Sequence, residues 1–313
     1  MSEIHKAAVL GATGTTGPVI VRELLERGAT VRVVSRSHEN LARMYEGVDV
    51  ERLGADVEKK GECDRAIEGC DVVFDCLGFP MTKFEKHVST ARTIVQLAKK
   101  TGARVVLMTG YWSSAPCEGE ISNTPPTKAS NSLSGCRIEQ ERVVVEAGGC
   151  AVVLPDFYGP RVRSSVLNDG VKTVLAGEKT LWPGDPWAKR GFVYIPDLGR
   201  PAVDLAMNDE AFGKRWIVAG DRAQTPAELL ERAASIIGQP LMLKRISPMA
   251  MKLASMFQPG MRAFSPVYPI YNAPAIYDDA ATRKLIGDWP VTSNEDGLAA
   301  TIDWLREEGT KSG

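Results

Sequence analysis

Short apolar runs alternate with amphipathic stretches through the first half of the chain. Lys6–Leu10 is a run that stops at Gly11, and in residues 18–27 that follow, Val19, Ile20, Leu24 and Leu25 share one helical face. A β-branched run over 30–34 comes next, and the polar segment Ser35-Arg36-Ser37-His38-Glu39 opens a helix near 40–45. The alternation continues through a strand over 50–53, a helix around 64–67, a strand over 71–74, a helix over 88–100, a strand over 104–108, a helix over 138–147 and a strand over 151–154. Strands separated by helices predict an α/β protein with a doubly wound parallel sheet and right-handed crossovers. After about residue 160 the rhythm breaks, with Gly, Pro and Trp crowding into Trp182-Pro183-Gly184-Asp185-Pro186-Trp187. We expect a sheet domain over 1–160, to which 190–220 returns through strands at 192–195 and 216–219, and a smaller substrate-facing region formed by 161–189 and 221–313.

Between the first strand and the first helix lies Gly11-Ala12-Thr13-Gly14-Thr15-Thr16-Gly17, a G-x-x-G-x-x-G loop. That context makes the pattern specific for a Rossmann-type dinucleotide pocket. Gly11 allows the tight turn, Gly14 the approach of backbone N–H groups to a pyrophosphate, and Gly17 the packing of helix on strand, with Thr13, Thr15 and Thr16 as added donors. Where an NAD site usually offers a carboxylate to the ribose 2′-hydroxyl, the chain has Ser35-Arg36-Ser37, and a cation there suits the 2′-phosphate of NADP(H); NAD(H) stays open. Asp56-Val57 after the third strand would meet the adenine, or Asp56 would cap the next helix. Leu77-Gly78 after the fourth strand would let backbone approach the cofactor, or be an ordinary turn.

Composition narrows the partners. The 313 residues carry 38 Lys+Arg against 39 Asp+Glu, a formal net charge of -1, which gives no field for a polyanion, so nucleic acid is not expected. Cys63, Cys70, Cys76, Cys117, Cys136 and Cys150 form no C-x-x-C pair and have no histidine cluster beside them, so they read as reduced thiols without metal. No leader of secretory type and no run of about 20 apolar residues is present, so a cytoplasmic protein with no membrane partner is expected.

On Gly11 to Gly17, Asp56-Val57, Leu154-Pro155-Asp156-Phe157-Tyr158-Gly159-Pro160 and Phe192-Val193-Tyr194-Ile195-Pro196-Asp197-Leu198-Gly199-Arg200, the chain resembles the short-chain dehydrogenase/reductase superfamily. The resemblance is to its extended, epimerase/dehydratase-like branch and that branch's atypical members, and it covers nearly the whole length. The ending Tyr277-Asp278-Asp279-Ala280, Leu285-Ile286-Gly287-Asp288-Trp289-Pro290 and a last helix near 297–308 fits it too. It implies a nicotinamide-side loop at Pro155, Phe157 and Tyr158, and a possible homodimer. It also implies a catalytic Tyr-x-x-x-Lys pair, which is broken here: the tyrosine position falls on Leu133 and the lysine position on Arg137.

A replacement acid would leave the carboxyl end of the fifth strand, Met108-Thr109-Gly110-Tyr111-Trp112-Ser113-Ser114. Tyr111 is the candidate, helped by Thr109, Ser113 or Arg137, with its phenol pKa lowered by Arg137 or a cationic nicotinamide; the alternative is an apolar wall. Tyr158 ranks behind it. His5, His38 and His87 fall on predicted peripheral segments with no nucleophile at motif spacing, against a Ser-His-Asp hydrolase. Met242, Met249, Met251, Met256 and Met261, with Trp182, Trp187, Phe257 and Phe264, would form core, or else a roomy apolar pocket. The expected function is NADP(H)-dependent oxidation or reduction of a small carbonyl or alcohol substrate. The alternatives are an NAD-dependent sugar-nucleotide epimerase or dehydratase and a non-catalytic NADP(H) sensor.

Overall fold

The computed structural model describes residues 3–116, 119–162 and 164–311, so Cys117 lies outside the described residues. The strands are β1 (Lys6–Leu10), β2 (Thr30–Ser35), β3 (Glu51–Gly54), β4 (Val72–Asp75), β5 (Arg104–Gly110), β6 (Cys150–Leu154), β7 (Asp156–Tyr158), β8 (Thr180–Pro183), β9 (Phe192–Tyr194), β10 (Lys214–Ile217) and β11 (Leu243–Ile246). The helices are α1 (Gly17–Glu26), α2 (His38–Met44), α3 (Lys60–Ile67), α4 (Lys86–Thr101), α5 (Ser132–Glu146), α6 (Val166–Leu175), α7 (Gly199–Ala206), α8 (Pro226–Ile237), α9 (Pro248–Phe257), α10 (Pro259–Phe264), α11 (Ala280–Ile286) and α12 (Asn294–Lys311).

Seven strands form one sheet in the order β10-β6-β5-β4-β1-β2-β3, and every pairing in it is parallel. Both faces are covered, which is why its strands read as continuous apolar runs. In β1, Ala7 and Val9 enter a core closed by α1 and α7, whereas Ala8 and Leu10 enter one closed by α3, α4 and α5. Of the two segments expected to return to the sheet, one does. Residues 214–217 pair with β6 as the outermost strand, but β9 pairs with β7 in a separate two-stranded ribbon, because β7 turns away after Pro155 and offers it a parallel edge.

Local signals set the helix ends. Ser37 caps α2 by accepting the Asn40 N–H, and Asn131 caps α5 by accepting the Ser134 N–H. At α8 Thr225 and Glu228 make a reciprocal capping box, and Gly238 ends the helix in the left-handed region. Helices α6, α8 and α12 enclose a third apolar cluster around Trp182 and Phe192. A buried ion pair, Arg215 Nε to Glu141 Oε2 at 3.1 Å, ties α5 to β10. Among the described residues, no helix is long and apolar enough to cross a membrane.

Candidate functional site

The strand order reverses between β1 and β4, so the loops leaving their carboxyl ends part, and a cleft of 850 Å³ opens there. At one end it is lined by Gly11, Thr13, Gly14, Thr15 and Thr16, with Ser35, Arg36, Asp56 and Val57 to one side and Leu77 and Gly78 to the other. It continues past Thr109, Tyr111 and Arg137 to Pro155, Asp156, Phe157 and Tyr271.

The glycine loop leaves no room for side chains. Gly11 has φ +76, and a Cβ there would lie 2.7 Å from the Cys76 carbonyl oxygen. A Cβ at Gly14 would lie 3.1 Å from the Gly11 carbonyl oxygen, and one at Gly17 would lie 2.7 Å from Ala12 Cα, so Gly17 lets α1 press on the turn without itself lining the cleft. At the head of α1, Thr16 makes no side-chain cap hydrogen bond and the first turn holds no acidic residue. The first-turn N–H groups, which no helix can satisfy internally, therefore leave a cradle of positive charge facing the cleft.

Beside this cradle Thr13 and Ser35 share a hydrogen bond of 3.0 Å, and Arg36 stands exposed at the cleft edge. Ser37 is spent on capping α2. The Asp56 carboxylate accepts the Glu58 N–H at 3.2 Å, and Lys59 takes the N-cap position of the next helix without a side-chain cap, so Asp56 shapes the turn and does not cap the helix. Leu77 N–H donates to Asp75, whose carboxyl burial pushes up to about 6. Cys76 lines the cleft, but burial pushes its thiol up to about 12, so it is no nucleophile near neutral pH.

The far end is a knot of ionisable side chains. Arg190, wholly buried, donates from Nη2 to the Tyr111 hydroxyl at 2.6 Å and lies with Nε 3.2 Å from Asp156 Oδ2. Tyr111 donates onward to Asp156 Oδ2 at 3.0 Å, and Tyr271 donates to Asp156 Oδ1 at 3.2 Å. The guanidinium also stacks 4.6 Å from the Tyr271 ring centroid. Burial raises the Tyr111 phenol well above its ordinary value and lifts the Asp156 carboxyl, with Arg190 opposing both shifts. Two expectations are corrected here. The phenol is shifted upward, and its cationic neighbour is Arg190, because Arg137 is turned toward Gln140 Oε1 at 2.7 Å and His87 Nδ1 at 3.3 Å.

His87 is also not peripheral. It is 1% exposed on α4, packs edge-on to Phe79 and Phe84, and its imidazole is pulled down to about 2 by burial and then by Arg137, so it is neutral. Thr109 lines the cleft with a buried Oγ1 that no partner satisfies. Ser113 sits buried away from the cleft beside Glu141. Tyr158 is placed outside the cleft as well: its hydroxyl donates to Asn294 Oδ1 at 3.3 Å, and its ring lies in the third apolar cluster. Leu133 packs in the apolar cluster that contains Tyr111 and Tyr271, one turn before Arg137. The methionine-rich segment splits: Met251 is buried, whereas Met249, Met256 and Phe257 are exposed and form neither core nor pocket. Asp156, Arg190 and Tyr271 were given no role from the sequence, and His87 was expected to be peripheral. Asp156 had a signal, lying inside the stretch 154–160 that carries the resemblance; Arg190 stands alone with no motif around it.

Residues 11–134 match the family model described as NAD(P)H-binding. The dTDP-glucose 4,6-dehydratase of Streptomyces venezuelae, solved with NAD bound, superposes with a TM-score of 0.80 over 98% of both chains at 18% identity. Residues 11–134 are thus similar to an NAD(P)H-binding domain, and the fold of the whole chain is the one seen in that dehydratase. Whole-length relatives include sterol demethylase protein B of Methylococcus capsulatus, 25% identical over 96% of this chain and 98% of that protein, and ceramide reductase of Caulobacter vibrioides, 22% identical over 96% and 95%. Among the described residues, no group of three or more His, Cys, Asp or Glu is arranged to hold a metal.

Proposed function

We propose that the chain is an NADP(H)-dependent oxidoreductase that interconverts a carbonyl and an alcohol on a small, largely apolar substrate, with Tyr111 in place of the usual tyrosine. The observation that carries this reading is the single cleft that joins a dinucleotide cradle to a buried phenol hydrogen-bonded to both a carboxyl group and a guanidinium. Gly11, Thr13, Gly14, Thr15 and Thr16 hold the pyrophosphate, and Ser35 and Arg36 meet the 2′-phosphate. A bound nicotinamide supplies or accepts the hydride. Tyr111 gives its proton to the carbonyl oxygen as negative charge grows there, Arg190 stabilises the phenolate left behind, Asp156 orients the hydroxyl between turnovers, and water entering the open cleft returns the proton. Thr109 offers its unsatisfied hydroxyl to the same oxygen. Phe79, Met81, Phe84, Trp112 and Phe264 give the cleft an apolar wall, which supports an apolar substrate, as do the lipid names of the two whole-length relatives. Residues 221–313 supply part of that wall through Phe264 and Tyr271, and residues 161–189 supply part through Val166.

The test is calorimetric titration with NADPH and NADH, followed by NADPH consumption over a panel of apolar ketones. We expect NADPH to bind at least tenfold tighter, the advantage to vanish in Arg36→Ala, and Tyr111→Phe to bind cofactor normally while losing roughly 10²–10⁴-fold in turnover. Equal binding of the two cofactors, or a fully active Tyr111→Phe, would overturn the corresponding part. The solved dTDP-glucose dehydratase favours a second reading, sugar-nucleotide chemistry on a retained NAD. That reading predicts NAD released on denaturation and no net loss of NADPH.

A further inference from the structure

Helix α9 is amphipathic the wrong way round for a globular protein. Met249, Leu253, Met256 and Phe257 recur at i, i+4, i+7 and i+8, the spacing of a single apolar face, yet they are 76%, 59%, 61% and 75% exposed. Met251, on the opposite side, is the residue buried against the protein. Just before the strand that leads into α9, Met242 is 43% exposed, and on β8, the strand paired with it, Leu181 is 56% exposed. Monomeric proteins seldom leave apolar side chains grouped in this way unless something covers them.

Charge indicates what the cover is. The whole chain is balanced, but between Glu231 and Asp278 there is no Asp or Glu at all, while Lys244, Arg245, Lys252 and Arg262 are present and exposed. Lys252 lies on α9 at the margin of the apolar arc, and Lys244 is the register partner of Leu181. An apolar face on a segment whose exposed charges are all cations complements a surface with an apolar interior and an anionic skin. A second copy fits less well, because a two-fold contact would bring this unbalanced positive charge against itself. Unbranched methionines suit a fluid partner that offers no fixed holes.

We propose that the outward face of α9, with the ribbon before it, docks on an anionic lipid bilayer. The helix lies in the interface without spanning it, so the expectation of no membrane partner, which rested on the lack of a long apolar run, does not reach it. The patch also adjoins the cleft: α10 follows α9 directly and ends at Phe264, a lining residue whose ring lies 5.4 Å from that of Tyr271. If the oxidoreductase reading above holds, docking sets the cleft mouth at the membrane and makes a bilayer-resident amphiphile the substrate class.

The experiment needs neither cofactor nor substrate, so its outcome is separate from that reading. The full chain is sedimented with vesicles of phosphatidylcholine, with and without phosphatidylserine. We expect at least tenfold stronger binding to the phosphatidylserine vesicles, weakened by added salt. Met249→Ser/Phe257→Ser should lower it at least tenfold with an unchanged thermal midpoint, and Lys244→Glu/Lys252→Glu should remove only the preference for phosphatidylserine. The proposal is overturned if the wild type binds neither vesicle, if both double variants bind as the wild type does, or if the wild type is a dimer that Met249→Ser/Phe257→Ser dissociates without any vesicle binding.

Discussion

At the glycine-loop end the cleft is walled by backbone, and at the Tyr111 end by side chains that ionise. In the proposed function, the cradle at Gly11 to Thr16 would work through N–H groups whose positions follow from strand, turn and helix, so it would depend on what is missing: Cβ atoms, a capping side chain, an acid in the first turn. The knot of Tyr111, Asp156, Arg190 and Tyr271 depends on four side chains satisfying one another away from water. Backbone recognition resists loss of any one side chain but not an added one, whereas a buried polar network resists neither.

The largest expected effect removes one member of the knot. Asp156→Ala leaves Arg190 buried without its carboxylate and should cost about 3–5 kcal/mol in urea unfolding. Arg190→Met in the same chain should recover most of that. A loss under about 1 kcal/mol would mean that the knot does not hold the fold together. Next is the cradle: Gly11→Ala forces a Cβ against the Cys76 carbonyl and should raise the NADPH dissociation constant at least a hundredfold, about 2.7 kcal/mol, in the same titration used for Arg36→Ala. Equal binding would show that the loop has slack the contrast denies. The smallest effect lies between the two ends, at His87. Its folded-state pKa is depressed from 6.5 to about 2, so the stability tied to a neutral ring is complete above pH 6.5 and is lost as pH falls below it. Between pH 6.5 and pH 5 this amounts to about 2 kcal/mol, and His87→Gln, which keeps an acceptor but does not titrate, should lack that part of the acid sensitivity in urea midpoints.

The same contrast separates what the sequence disclosed from what it hid. The glycine loop is local: three glycines at fixed spacing between a strand and a helix state their job within seven residues, and the parallel sheet follows from periodicity. The knot is not local. Tyr111 and Arg190 are 79 positions apart, and no pattern around Arg190 distinguishes it from a solvated cation. His87 looked peripheral because the sequence leaves it just outside a helix over 88–100, whereas α4 begins at Lys86 and turns its first turn toward the cleft. Tyr158 was drawn to the site by the stretch it belongs to, yet alternation along β7 sends it to the opposite side from Phe157. The methionines of α9 misled in another way, since an apolar residue type does not tell whether its side of the helix faces the protein.

The seventh strand has a consequence for how the chain comes off the ribosome. β6 is finished at Leu154, but its neighbour β10 is not made until Lys214–Ile217 emerge, after the whole β7-to-α7 excursion. Until then the nascent sheet carries a bare edge, Cys150–Leu154, every residue of which is apolar and buried in the finished protein. Glu141 likewise waits for Arg215. A truncation near residue 160 would freeze that exposed intermediate, so the break in the sequence rhythm there marks a change of architecture and not a place to cut.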